Sequence, residues 1–395
     1  MKRIIVAGAL ANKCGHGGEA WVRLSWVLGF RQLGYDVHFV EQIARESCVG
    51  DDGRAADFAG SVNRAWFESV VAEFGLRDSA TLIYDGGAEF CGPGERELRE
   101  FAADAELLVN ISGHLTYAPV FERVRRRAYV DIDPGFTQFW TAQGGSGARL
   151  AGHDVYFTIG ENIGAPDCPI PTCGIEWRKT RPPVVLDQWP VADAPRFGRF
   201  TTIASWRGPF GPVQFGGVSY GLKCHEFRKF IGLPRRTSLP FEIALNIHPA
   251  DAMDREALLN QGWELVEPAR AAGTPRAFRE YIQNSSAEFS VAQGIYAQTR
   301  SGWFSDRTAH YLASGKPALV QDTGSHIPVG TGLVTFNTLD EAADSAAEIA
   351  ANFANHCAAA RALAEEFFDS RKVLRRFLDD ALDSSEPQPT IAHAN

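Results

Sequence analysis

At 395 residues the chain is long enough for two domains, each with its own core. Its 45% hydrophobic and 22% charged residues are those of a soluble globular protein, and no stretch approaches the roughly 18 apolar residues of a membrane helix. A net charge of −9 argues against a general nucleic-acid or anionic-membrane surface, so no nucleic-acid partner and no membrane insertion are expected.

Short apolar runs with helical segments between them predict parallel sheets built from βαβ units. In the first half the predicted strands are 3–9, 37–41, 81–84, 107–112, 128–132 and 155–159. In the second half they are 201–205, 242–246, 263–266, 288–291, 318–321 and 333–336. The Pro-rich segment 180–190 stands between the two sets as a hinge. The expected fold class is therefore α/β with two Rossmann-like domains, 1–185 and 191–366. After Phe336 the pattern turns helical, through 339–363 and then 367–382, and the polar tail 384–395 reads as disordered. Seven cysteines, an odd number without a CxxC pair, predict reduced thiols in a cytoplasm and no zinc site.

The first strand leads into Ala11-Asn-Lys-Cys-Gly-His-Gly-Gly-Glu19, with a helix expected over 20–33. Gly15, Gly17 and Gly18 allow close backbone approach to a ligand, or simply make a tight turn. His16 would face the cleft as a candidate general base. The loop is not GxGxxG and Glu41 is its only acidic candidate for a ribose, which disfavours a nicotinamide site. Ile111-Ser-Gly-His114 and Tyr129-Val-Asp-Ile-Asp-Pro-Gly135 end strands at the same edge, offering His114 and Asp133. Asp131 and Asp133 read either as a carboxylate pair or as one ligand group and one cap.

In the second half Arg207 follows the first strand, and Lys223 ends a Gly-rich loop from which it would neutralise a diphosphate. Leu265 and Glu267, in Trp263-Glu-Leu-Val-Glu-Pro268, are candidates to hold a nucleobase. The most informative stretch runs from Ser301 to Gly324. Gly302, Ser305, Asp306 and Arg307 form a small-residue loop running into a helix whose first amides suit a phosphate. Asp306 or His310 would meet ribose hydroxyls. Gln321, Asp322 and Thr323 leave the next strand, where an open α/β sheet places its ligand.

Two Rossmann-like halves facing a cleft, a Pro-rich hinge, a Gly-rich first loop and a closing helical tail resemble the GT-B glycosyltransferases. Gly315-Lys-Pro-Ala-Leu-Val-Gln-Asp-Thr-Gly324 is similar to that family's Gly-x-Pro-Val-Val-x-x-x-x-Gly stretch. The resemblance implies a nucleoside diphosphate sugar as donor; with no basic or amphipathic membrane-binding face in the sequence, a small-molecule acceptor, such as a natural product, is expected over a lipid-linked sugar. It implies no cofactor and no metal, the helix dipole and cations serving instead, and a C-terminal helix that rejoins the N-terminal domain. Two glutamates usual in retaining members are replaced by Gly302 and His310, which leaves the stereochemistry open. The base is left among His16, His114 and Asp133. A sugar-nucleotide epimerase of the same fold and a non-catalytic transferase partner are the alternatives. The nucleotide, the acceptor and the oligomeric state are not read from the sequence.

Overall fold

The strands that the apolar runs predict form the centres of two separate sheets. A computed structural model describes residues 1–192, 196–208 and 210–383; the expected disordered tail from 384 lies outside the described residues. The first sheet holds β1 (Arg3–Ala7), β2 (Asp36–Ile43), β3 (Ala80–Tyr84), β4 (Glu89–Cys91), β5 (Ala105–Ile111), β6 (Arg127–Asp131), β7 (Val155–Thr158) and β8 (Trp177–Lys179). Its order is β4-β3-β2-β1-β5-β6-β7-β8, parallel except for the β3–β4 pair. A hairpin of β10 (Val213–Phe215) and β11 (Val218–Tyr220) follows β9 (Phe200–Ser205). The second sheet comprises β9, β12 (Phe241–Asn246), β13 (Trp263–Val266), β14 (Ala287–Ser290), β15 (Ala318–Gln321) and β16 (Leu333–Phe336), in the order β13-β12-β9-β14-β15-β16.

All twelve predicted strands appear, because strands covered on both faces must be apolar almost throughout. The strands without a sequence signal are β4, β8, β10 and β11, each three residues long and partly exposed. In both sheets the winding direction reverses beside the first strand, at β1/β5 and at β9/β14. Those reversals open crevices at the carboxyl ends of the strands.

The chain ends in helices Leu339–Ala351, Phe353–Phe367 and Ser370–Leu382. The last packs on the first helix, Gly17–Gln32, with the Phe377 ring 5.0 Å from Trp26. Gly29 makes that packing possible, since a Cβ there would stand 2.5 Å from Leu374 Cδ1. The helix expected over 339–363 is interrupted at Asn352, and the one expected over 367–382 begins at Ser370, after a break at Phe368 and Asp369. Val184 of the Pro-rich linker pairs there, its N–H donating to Phe368 O at 2.7 Å and its carbonyl accepting from Ser370 N at 2.9 Å.

The first helix begins at Gly17 rather than at 20, so Gly17 and Gly18 belong to its first turn. Both press on the second half of the chain. A Cβ on Gly17 would stand 2.1 Å from Thr274 O, and one on Gly18 2.8 Å from Phe278 Cε2. Nearby, the Trp21 indole N–H donates to Pro275 O at 2.9 Å, and Trp189 stacks on His310 at 4.2 Å.

Candidate functional site

Where the carboxyl ends of both sheets approach each other lies a cavity of about 490 Å³. The first half contributes Glu19, Arg23, His114 and Asp133; the second contributes Arg207, Lys223, Tyr296 and Ser305 to Arg307. A neighbouring cavity of about 420 Å³ shares Glu19, Ile203 to Ser205 and Ser305 to Arg307 with it. Its other walls include Gly15, His16, Gly18, Asn246 and Glu267 to Ala269. Ser305 to Arg307 therefore form the ridge between two connected compartments.

That ridge is the start of the helix Asp306–Ala313. Ser305 is its N-cap by backbone, extended at φ −71° and ψ 132°, but its side chain does not cap the helix. The first-turn amides have no intrahelical acceptor and lie at the positive end of the helix dipole. Arg307 reaches back across the strand ends. It donates to the buried Glu288 carboxylate at 2.7 Å, to Ile203 O at 2.9 Å and to Ser290 Oγ at 2.7 Å. Lys223 donates to Val291 O, and burial together with the neighbouring Arg307 pushes its ammonium down to about 7. Arg207, at the mouth, is paired with Asp251.

On the opposite wall the two aspartates at the end of β6 have parted roles. Asp131 is fully buried and accepts from Thr137 Oγ1 at 2.7 Å, Gln138 Nε2 at 2.8 Å, Thr158 Oγ1 at 2.8 Å and the Asp133 amide at 3.1 Å. It caps the turn, so the two do not act as a carboxylate pair. Asp133 lines the cavity and accepts from the Tyr296 hydroxyl at 3.2 Å. Burial, then the charges of Asp131 and Glu19, push its carboxyl up to about 6. Asp306 across the cavity is likewise pushed up to about 6, by burial and by Glu19.

The two histidines differ from Asp133. His114 lines the main cavity, but burial and the charges of Arg23, Arg149 and Lys13 hold its imidazole down at about 3. His16 is exposed, its Nδ1 lies 2.9 Å from the Cys14 carbonyl, and it borders only the neighbouring compartment. Glu41 is no ribose ligand. Its buried carboxylate accepts from the amides of Leu10, Ala11 and Asn12 at 2.5–2.9 Å and so holds the first loop in place.

The loop after β15 departs most from expectation. Gln321 accepts from Ala292 N at 3.1 Å and donates to Glu226 at 2.9 Å. Asp322 accepts from Gly324 N at 2.8 Å and from Arg300 at 2.7 Å, and Thr323 Oγ1 donates to Trp303 O at 2.5 Å. These three side chains border a separate cavity of only about 40 Å³ and are not brought to the main one. Gly302, at φ +77°, faces Asn162 N, which a Cβ would approach to 2.9 Å; it serves contact between the halves and does not border the main cavity. Leu265 packs into the core of the second sheet, while Glu267 and Pro268 reach the neighbouring cavity. His310 is 1% exposed and stacks on Trp189, while it also lines the main cavity and its Nδ1 has no partner.

Arg23, Lys13, Arg149 and Tyr296 line the cavity without having stood out in the sequence. Arg23 sits within an apolar helix, and its one signal is Gly8 at the end of β1. A Cβ on Gly8 would lie 3.1 Å from Arg23 Cγ, so the glycine gives the long side chain its path over the sheet edge.

No protein-family model matches the sequence, and no curated protein does. Solved structures do match. The alpha-glucosyltransferase AGT in complex with UDP aligns over 97% of this chain and 100% of its own, at 11% identity and a TM-score of 0.59. The chain has the GT-B fold. Anabaena HepE in complex with UDP-glucose covers 96% of this chain and 99% of its own, at 11% identity and a TM-score of 0.59. AviGT4, a glycosyltransferase involved in avilamycin A biosynthesis, covers 96% and 97%, at 12% identity and a TM-score of 0.57. In GT-B terms the two compartments lie between an N-terminal sheet and a C-terminal sheet, with the ridge at Ser305 on the C-terminal side.

Proposed function

We propose that this GT-B protein is a glycosyltransferase that moves a sugar from a nucleoside diphosphate sugar to a small-molecule acceptor. The observation that carries the reading is the ridge at Ser305 to Arg307. A helix N-terminus there stands beside Lys223 and Arg207 and opposite the carboxyl group of Asp133. The nucleoside would take the compartment bounded by Asn246, Glu267 and Pro268, and its diphosphate would cross the ridge. The sugar would enter the larger cavity. Negative charge growing on the departing diphosphate would be met by the first-turn amides and Arg207, and by Lys223, whose ammonium form the neighbouring anion favours.

Asp133 is the base this geometry favours. It lines the cavity, it is oriented by Tyr296, and a carboxyl near 6 accepts a proton from a hydroxyl better than an ordinary aspartate does. His16 borders the compartment assigned to the nucleoside, and His114 is too weakly basic. Residues 1–185 with the helix Ser370–Leu382, and residues 191–366, would act as the two domains that close on the substrates and exclude water.

Thermal unfolding with UDP, dTDP, GDP and ADP tests the donor class. At a hundredfold excess over Kd the cognate nucleotide should stabilise the protein by roughly 2.7 kcal/mol, visible as a rise in Tm. If none of the four raises Tm, the reading is abandoned.

A further inference from the structure

The larger cavity has a wall that the donor placement proposed above leaves free. On the first half, Lys13, Arg23 and Arg149 surround His114, whose imidazole feels all three charges. Arg23 is 3% exposed; one Nη donates to Glu19, while its buried Nε has no partner. Ser25, 2% exposed and lining the same cavity, has a buried hydroxyl without a partner. Among the described residues neither Lys13 nor Arg149 forms an ion pair. A buried donor left unsatisfied costs free energy, and a ligand that accepts from it recovers that cost.

Glu19 pairs with Arg23 and offsets its charge, which leaves Lys13 and Arg149 as the unneutralised cations of this wall, while Asp133 lines the cavity and accepts from Tyr296. Gly8 adds a structural sign: without a Cβ it leaves room for Arg23, whose Cγ and Nε would stand 3.1 and 3.5 Å from that Cβ, beside Ile111 at the end of β5.

We propose that Lys13, Arg23, Ser25 and Arg149 form an anion-binding subsite for the acceptor, which is a small hydroxylated molecule carrying a carboxylate or phosphate group. The anion is seated on this wall, and an acceptor hydroxyl is then directed at Asp133. This deepens the transferase reading and rests on it for the identity of the ligand as acceptor.

The test holds the protein saturated with the nucleoside diphosphate that stabilises it best, so that the donor site is filled. Glucose, glucuronate and glucose 6-phosphate are then titrated by calorimetry at constant ionic strength. These probes share a hydroxylated ring and differ in the anion. At least one anionic probe should bind at least tenfold more tightly than glucose, and which one does distinguishes carboxylate from phosphate. Lys13→Ala and Arg149→Ala should each weaken that binding roughly tenfold, the loss expected for one charge-assisted contact, with nucleotide affinity unchanged. Equal affinity for all three probes, or anion binding indifferent to both substitutions, overturns the proposal. If no nucleotide binds at all, the transferase reading falls instead. The same titrations on unloaded protein, wild type against the two variants, still report on this wall, so the two failures are distinct.

Discussion

Asp131 and Asp133 carry the same side chain two positions apart, and their surroundings separate them. Three side-chain donors consume Asp131, whereas Asp133 receives one hydroxyl and otherwise faces the cavity. Asp133→Asn should therefore lower kcat by about 10²–10⁴-fold and leave nucleotide affinity intact, as steady-state kinetics and calorimetry would show. In the wild type kcat/KM should rise with pH through about 6, as the Asp133 carboxyl loses its proton, and the variant should lack that rise. The sign for stability is opposite. A folded-state pKa raised above the unfolded value makes the folded form bind more protons, so this contribution is full below about 4 and is lost as pH rises through about 6. His16 shows what a residue list misses: its place after the first strand is as expected, yet it borders the neighbouring cavity and not the one that Asp133 lines.

At the scale of elements, the glycines of the first loop changed meaning. Three glycines before a helix read as room for a ligand, and two of them are room for a neighbouring helix, Pro275–Gln283, and the residue before it. Gly17→Ala would force its methyl group into the Thr274 carbonyl. The expected cost is about 1–3 kcal/mol, read from denaturant unfolding, with weaker nucleotide binding as the seam between the halves is displaced. The stretch Ser301 to Gly324 divided in the same way. Its helix start supplies the ridge of the site, while its distal loop folds back on 300–303 and on Asn162, whose amide donates to Arg300 O at 2.6 Å and Gly324 O at 3.0 Å. Both parts are small and polar, and composition alone does not say which one meets solvent and which one meets another loop.

For the whole molecule, the chain crosses between halves twice, and both crossings are tied at one place. Val184 of the first crossing pairs with Phe368 and Ser370 of the second, just before the final helix returns to the first. That return should matter to the N-terminal half as a core contact does. Leu374→Ala, at a fully buried position facing Gly29, should cost about 2–5 kcal/mol of stability in urea unfolding. A change below 1 kcal/mol would show that the final helix is not part of that core.

The sequence by itself determined the twelve central strands, the two-sheet plan and the helical start at Ser305. A doubly covered strand needs an unbroken apolar run and a helix start needs a recognisable break, both properties of neighbouring residues. Only the tertiary structure decided which polar groups share the cavity. Arg23, Tyr296 and Arg149 come from distant segments with no local signal, and Gln321, Asp322 and Thr323 find partners within the protein that no local pattern announces. A strand's burial is fixed by its own composition, whereas a side chain's partner is fixed by whatever the fold sets opposite it.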